Sequence, residues 1–460
     1  MSDPVAVPRD DEGFRAKLMR AARLSSLTFV AQVALRIVSV TILTRLLAPD
    51  IYGVFAVVLT YLYMLRMLSD LGIRPIILSA ETEPDAAFLQ TCWTIGALRG
   101  TAMLLVSIGV AALLDLAQAR DLFDPESAYS APELPLAIAA IGIVPFISSF
   151  VSPNQFMAER RMSFGRITAL EISGHVAGLI VTIAMAWWLR SIWALVAGAM
   201  ATQIIDTGGS HILFKGPPPR FRLDRAHIRT VLTRGIRILG NSALTMVAQT
   251  ADRLVLGLAM EASTFGFYHI ARQFVDIGAA FLNTVHQKSG MQVFTHLLKT
   301  RAGEVRRNYY RYRLFFDALA GTAAGGLFAT APLLVGILFD DRYAGVTPIL
   351  RILCFSLLVI GPLTLSAAFM AERRFGLTAL LTAMSAVTIW VGLGIAIQAG
   401  STTLALGVVA LHHLPQALTL MVLAARRGWV SWLREAIPLV FFGLGFVLGQ
   451  GIMALWTLAV

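Results

Sequence analysis

Charge is the scarcest property of this sequence. Of 460 residues only 14% are Asp, Glu, Lys or Arg, against 57% hydrophobic side chains, and the mean hydropathy is +0.72. About a quarter of a soluble globular chain is charged, so a large water-soluble catalytic domain is excluded. Cysteine is nearly absent too. Cys92 and Cys354 each lie inside an apolar run, which supports neither a disulfide framework nor a thiolate metal site and leaves packing as their role. Strand-length segments of alternating polarity are missing, which excludes an outer-membrane barrel. The first 25 residues are polar and of mixed charge, without the apolar core of a cleavable signal, so insertion is expected to begin with the first helix. No GxxxxGK(S/T), HExxH or GxSxG motif occurs, so ATP hydrolysis and hydrolytic chemistry of those kinds are unsupported.

What is present is a series of long apolar runs. Windows of about 19 residues predict thirteen membrane-crossing helices, over 26–48, 51–71, 88–114, 134–155, 167–189, 191–213, 238–260, 262–286, 314–338, 346–371, 376–398, 401–424 and 436–459. In the last, Gly443, Gly445, Gly449 and Gly451 allow either a break or close helix packing. The net charge of +11 does not signal nucleic-acid binding, because its placement has a better explanation. With the N-terminus inside, 28 of the 38 Lys and Arg residues fall in the N-terminal tail and alternate connections; only Arg120, Arg190 and Arg342 fall on the other side. That asymmetry obeys the positive-inside rule and predicts a cytoplasmic N-terminus. The basic connection Lys288 to Arg313 reads as an amphipathic interfacial segment over anionic headgroups.

The tract Phe156-Met157-Ala158-Glu159-Arg160-Arg161 recurs letter for letter as Phe369-Met370-Ala371-Glu372-Arg373-Arg374, 213 residues later. At the same offset Tyr52-Gly53-Val54-Phe55 meets Phe265-Gly266-Phe267-Tyr268, each opening the second helix of its half. The chain therefore reads as an all-α polytopic membrane protein of two parallel-repeat six-helix lobes with a C-terminal helix appended. Parallel duplication is an architecture of alternating-access transporters. The expected segments are a cytoplasmic tail over 1–25, an N-lobe over 26–213, a basic linker over 214–237 stiffened by Pro217-Pro218-Pro219, a C-lobe over 238–424, and a connection with the thirteenth helix over 425–460.

Seven arginines and six acids lie inside the predicted spans, where a mid-bilayer charge costs ~2.5–3.5 kcal/mol on insertion scales. Arg45 and Arg351 lie near helix ends and can snorkel. Arg66 with Asp70, and Arg272 with Asp276, are four apart and can pair along one helix. Arg36 sits mid-span with no acid at three or four residues, and Arg253 follows Asp252, a neighbour that points about 100° away. With His269, Arg272, Asp276 and Asn283 marking one face of the eighth span, the simplest arrangement is a partly cationic cavity. Its guanidinium groups suit phosphate or pyrophosphate. Glu171 with His175 is the sharpest candidate for proton or cation coupling, and His412-His413 beside Pro415 is a weaker one. Gly174 to Gly178 and Gly321 to Gly325 have the GxxxG spacing for close helix contact.

Thr44 to Gly53 (TRLLAPDIYG) resembles the signature joining the first two helices of the oligosaccharide-lipid (Wzx-type) flippases of the multidrug/oligosaccharidyl-lipid/polysaccharide exporter superfamily. Asp70-Leu71-Gly72, Trp93 to Gly100 and Asp252-Arg253-Leu254 are similar to further motifs of that family. The resemblance implies a V-shaped, multi-pass inner-membrane carrier that turns undecaprenyl-pyrophosphate-linked glycans from the cytoplasmic to the periplasmic leaflet, for O-antigen or exopolysaccharide assembly. It implies that Arg36, Arg66, Arg253 and Arg272 hold the pyrophosphate. Asp70, Glu171, His175, Asp252 and Asp276 are the expected ion-coupling residues, driven by a proton or sodium gradient with no bound cofactor or metal. Expected partners are the lipid-linked glycan, membrane lipids, and a polysaccharide polymerase with its chain-length machinery. The rival readings are a peptidoglycan lipid-precursor flippase, a drug or cation exporter of the same superfamily, and a membrane polymerase or ligase. The last would need substantial outer loops, which are lacking.

Overall fold

A computed structural model describes residues 30–459 apart from 70, 81 and 301; the tail over 1–25 and Asp70 lie outside the described residues. Every predicted span is matched by a helix or by a run of consecutive helices. The first runs over 30–46, followed by Pro49–Leu68, Ala86–Gln118, Leu134–Ile141 with Ile143–Ser148 and Pro153–Arg160, Phe164–Leu189 and Ile192–Leu213. Then come Arg225–Ala259, Ala262–Thr300, Val305–Leu338, a broken run from Val346 to Ala371, Phe375–Gln398, Thr402–Leu411 with Leu414–Ala425, and Ile437–Ala459. Among the described residues eight helices are long and apolar enough to cross a membrane, and a ninth if Leu134–Ser148 and Pro153–Arg160, bent by 59°, form one span. The polar residues of Arg225–Ala259 and Ala262–Thr300 keep those two outside that set.

The chain divides into two compact units. One comprises the described residues up to Leu46 with Tyr61–Arg120 and Pro132–Ala243, and the other comprises Leu47–Thr60, Asp121–Ala131 and Leu244–Val460. The predicted linker over 214–237 is helical from Arg225 onward, which leaves 214–224 as the non-helical connection. Asp224 starts that helix by accepting the backbone N–H groups of His227 and Ala226, at 3.3 and 3.0 Å, and these bonds hold its carboxyl below the usual range.

In the first unit, Phe164–Leu189 and Ile192–Leu213 approach through glycine. A Cβ on Gly178 would lie 1.9 Å from Thr202 Oγ1 and one on Gly198 would lie 1.7 Å from Thr182 Oγ1, so only glycine permits this spacing. In the second unit the repeat-related glycines are reciprocal. A Cβ on Gly53 would lie 1.9 Å from the Ala262 carbonyl oxygen, and one on Gly266 would lie 2.1 Å from that of Pro49. The two FMAERR copies end their helices differently. The first helix runs on to Arg160 and reverses through Met162 at φ 57°, whereas the second stops at Ala371 and reverses through Arg373 at φ 61°. Both glutamates accept arginine: Glu159 from Arg74, and Glu372 from Arg427. Arg160 donates to the carbonyls of Ile77 at 2.9 Å and Ala80 at 2.7 Å, closing the end of the short Ile73–Leu78 helix.

Packing corrects two sequence expectations and decides a third between its two alternatives. Lys288 to Arg313 is not a separate interfacial segment, because Ala262–Thr300 runs through its first half and Val305–Leu338 begins within it. There Arg313 is completely buried, bonded to Asp317 at 2.9 Å, to the Tyr309 hydroxyl at 3.0 Å and to Glu435. Tyr310 donates to the same Glu435 at 2.7 Å. Arg351 does not need to reach water. Pro332 has no N–H to give to the Phe328 carbonyl four residues earlier, and Arg351 Nε donates to that oxygen instead, at 3.1 Å. The glycines of the thirteenth helix do not break it. Gly445 and Gly449 face Thr322 and Ala329, while Gly321 and Gly325 face Phe441 and Phe442, forming a small-residue seam between Ile437–Ala459 and Val305–Leu338.

Candidate functional site

The polar residues of the second unit converge where two helices form a hairpin. Arg225–Ala259 turns at Met260 and Glu261 into Ala262–Thr300, so the polar side chains of its two arms come within reach of one another. Asp252 and Arg253 come from the first arm and Tyr268, Arg272 and Asp276 from the second. Arg272 Nε donates to Asp276 Oδ1 at 2.9 Å, the four-residue pairing expected along one helix. Arg253, about 100° around the helix from Asp252, reaches across the hairpin to Asp276 Oδ2 at 3.4 Å. Asp276 therefore lies between two guanidinium groups. Asp252 is buried, at 4% exposure. It accepts the Tyr268 hydroxyl and lies 3.9 Å from Arg272 Nη1.

Two cations and two anions balance in this cluster, so its arginines are pre-paired with internal carboxylates. Arg253 and Arg272 remain about a quarter exposed and Asp276 about a third. An anion entering there can exchange with Asp276 for guanidinium donors without leaving a buried charge uncompensated. In the sequence Tyr268 stands out only as part of the repeated Phe-Gly-Phe-Tyr tract, not as a polar partner. The hairpin geometry around residue 260 was the signal that could have paired it with Asp252.

The other expected site residues lie in the first unit. Arg36 is exposed on the helix over 30–46, and Arg66 is exposed in the last turn of Pro49–Leu68. Glu171 is half-buried and His175 exposed, one turn apart on Phe164–Leu189. Close to Glu171 along the same helix, Gly174 accommodates Asp206 of the neighbouring helix, whose Oδ1 would lie 2.1 Å from a Cβ there. In the second unit, His412 and His413 occupy the break between Thr402–Leu411 and Leu414–Ala425. Their Nδ1 atoms bond to the Val409 carbonyl at 2.8 Å and Ser385 Oγ at 2.7 Å. Cys92 and Cys354 are buried free thiols, as packing residues.

Comparison with known proteins follows the same lines. A family model described as a polysaccharide biosynthesis protein matches residues 42–348. Over 345 residues the chain is 22% identical to the lipopolysaccharide biosynthesis protein WzxC of Escherichia coli K12, covering 74% of this chain and 67% of that protein. It is 21% identical to the succinoglycan biosynthesis transport protein ExoT of Rhizobium meliloti, with 71% of this chain and 64% of that one covered. The match thus spans about two thirds of the length of these relatives. Among solved structures, the lipid II flippase MurJ in an inward closed conformation superposes with a TM-score of 0.64, at 10% identity, over 95% of this chain and 98% of MurJ. An inward-facing multidrug transporter of the MATE family gives 0.59 at 12% identity, over 85% and 94%. The all-helical multi-pass fold is shared with these transporters, and the chain belongs to the polysaccharide biosynthesis protein family.

Proposed function

We propose that this protein is a flippase for lipid-linked oligosaccharide repeat units, carrying undecaprenyl-pyrophosphate-linked glycans across the bacterial inner membrane by alternating access. The observation that carries the reading is the Arg253–Asp276–Arg272 arrangement, two guanidinium groups held by one exchangeable carboxylate within a helical hairpin. Membership of the polysaccharide biosynthesis family, and relatives named for lipopolysaccharide and succinoglycan biosynthesis, support the glycan class of cargo. In this reading the pyrophosphate displaces Asp276 from the arginines, and the carboxylate takes them back when cargo leaves. A carrier needs that symmetry, because a site too tight to release cannot turn over. Arg36 and Arg66 are proposed as further phosphate ligands by resemblance. Glu171, His175 and the displaced Asp276 are proposed carriers of a coupling proton or sodium ion. The N-terminus lies in the cytoplasm on the charge asymmetry, and a polymerase with chain-length machinery takes up the product.

Deletion is expected to abolish a surface or secreted polysaccharide while lipid-linked repeat units accumulate on the cytoplasmic leaflet, read by leaflet-specific labelling of the extracted lipid. Unchanged polysaccharide in a strain without a second transporter of this kind would refute the assignment.

A further inference from the structure

A basic-rimmed cavity lies within the first unit. It encloses about 360 Å³ and is lined by four separate stretches of chain: residues leading into Ala86–Gln118, the Pro153–Arg160 helix, the turn into Phe164–Leu189, and the connection after Ile192–Leu213. Ala86–Gln118 and Phe164–Leu189 are both long and apolar enough to cross a membrane. A cavity at their first turns therefore lies where headgroups meet acyl chains. Its floor is apolar: Leu89, Met157 and Phe214 are 8%, 8% and 4% exposed. Its rim is basic, with Arg161, Arg166 and Lys215 against the single acid Glu83. Arg161 is engaged by Glu83 at 2.6 Å. Arg166 and Lys215 make no ion pair among the described residues, and both side chains are exposed. Met162, between two rim residues, is 40% exposed, and Phe221 and Leu223 farther along the connection are 69% and 51% exposed. Large apolar side chains interleaved with Lys and Arg outside the spans are the composition of a segment seated in the interface.

We propose that this cavity binds the phosphate headgroup of an anionic membrane phospholipid, with Arg166 and Lys215 on the phosphate and Leu89, Met157 and Phe214 on the glycerol and first methylenes. The phosphate could equally come from solution as far as the two cations are concerned; the apolar floor and the membrane-boundary position select the lipid. A bound lipid there joins four chain segments that otherwise meet around a void. It would act as a fixed component of this unit rather than as cargo.

The test uses the full-length protein purified with dioleoyl phosphatidylglycerol or dioleoyl phosphatidylcholine and then exchanged into detergent, with retained lipid counted by native mass spectrometry. Wild type is expected to keep phosphatidylglycerol and to lose phosphatidylcholine. The Arg166→Gln/Lys215→Gln protein is expected to lose phosphatidylglycerol affinity by roughly 10- to 30-fold, the contribution of about two headgroup-facing cations. Arg306→Gln/Arg307→Gln, which removes two exposed charges elsewhere, is expected to leave it unchanged. Should the double variant not fold, Lys215→Gln alone, on a non-helical connection, is expected to weaken retention about fivefold. Equal retention of both lipids, loss in the Arg306/Arg307 control equal to that in the cavity variant, or full displacement of lipid by millimolar inorganic phosphate would each overturn the proposal.

Discussion

Asp276 is the side chain on which the proposed cycle turns, since it holds Arg272 at 2.9 Å and Arg253 at 3.4 Å at once. Asp276→Asn keeps the shape and removes the charge that competes with phosphate. Its expected effect is about tenfold tighter binding of undecaprenyl pyrophosphate, roughly one charge-assisted hydrogen bond, together with slower transport because release is impaired. Titration of the purified variant checks this, and an unchanged affinity would mean that Asp276 does not compete with the ligand. Arg313 is the structural counterpart. It is wholly buried and pairs with Asp317 and Glu435, so Arg313→Gln leaves the buried Asp317 carboxylate without its cation, while Glu435 keeps the Tyr310 hydroxyl, and is expected to destabilise the protein by ~3–5 kcal/mol. Replacing all three with Met, Leu and Leu should recover most of that loss in detergent unfolding; a single variant as stable as wild type would show the cluster to be dispensable. Arg253 and Arg272 stood out in the sequence because a charge inside an apolar run is costly. The partner of Arg253 was not legible, since Asp276 lies 23 residues away and on another helix. Arg313 reads as interfacial in the sequence for a related reason: basic and aromatic residues surround it, and the distant Glu435 adds to Asp317 and Tyr309 on its own helix in holding it inside.

Helix positions were legible almost throughout, because apolar length is a local property and the bilayer imposes it. Helix ends were less so. The helices from Arg225 and from Val305 extend their spans into basic connections that hydropathy alone cannot assign. The small-residue spacing at Gly321 and Gly325 was visible, but its partner was not, since seam and partner are more than 100 residues apart in the chain. That seam sets how the thirteenth helix docks. A Cβ at Gly325 would stand 2.0 Å from the Phe442 carbonyl oxygen, and one at Gly445 would stand 2.2 Å from that of Thr322. Gly325→Leu is accordingly expected to cost ~1–3 kcal/mol and to expose Ile437–Ala459 to proteolysis. Gly443→Leu, at a position where a Cβ meets nothing within 4 Å, should do neither. Equal protease resistance in both variants would contradict the seam.

The molecule as a whole carries its duplication in its packing. Gly53 and Gly266, 213 residues apart, each lie against the backbone of the residue that opens the other's helix, Ala262 and Pro49, a reciprocity expected of equivalent elements. Sparse charge has a comparable logic. Basic residues gathered in alternate connections are expected to orient the chain, and Arg253 and Arg272, inside predicted spans, are paired with acids where the second unit's hairpin brings them together. The chain belongs to the polysaccharide biosynthesis protein family. In the proposed cycle the arginines of this hairpin carry pyrophosphate-linked lipid across the bilayer. Reconstitution into liposomes with a labelled undecaprenyl-pyrophosphate oligosaccharide tests it most directly, with the fraction reaching the opposite leaflet measured for wild type and for Arg253→Ala/Arg272→Ala. Translocation by wild type is expected, with at least about a tenfold loss in the variant at equal membrane insertion; equal translocation by both proteins would show that these arginines do not carry the lipid.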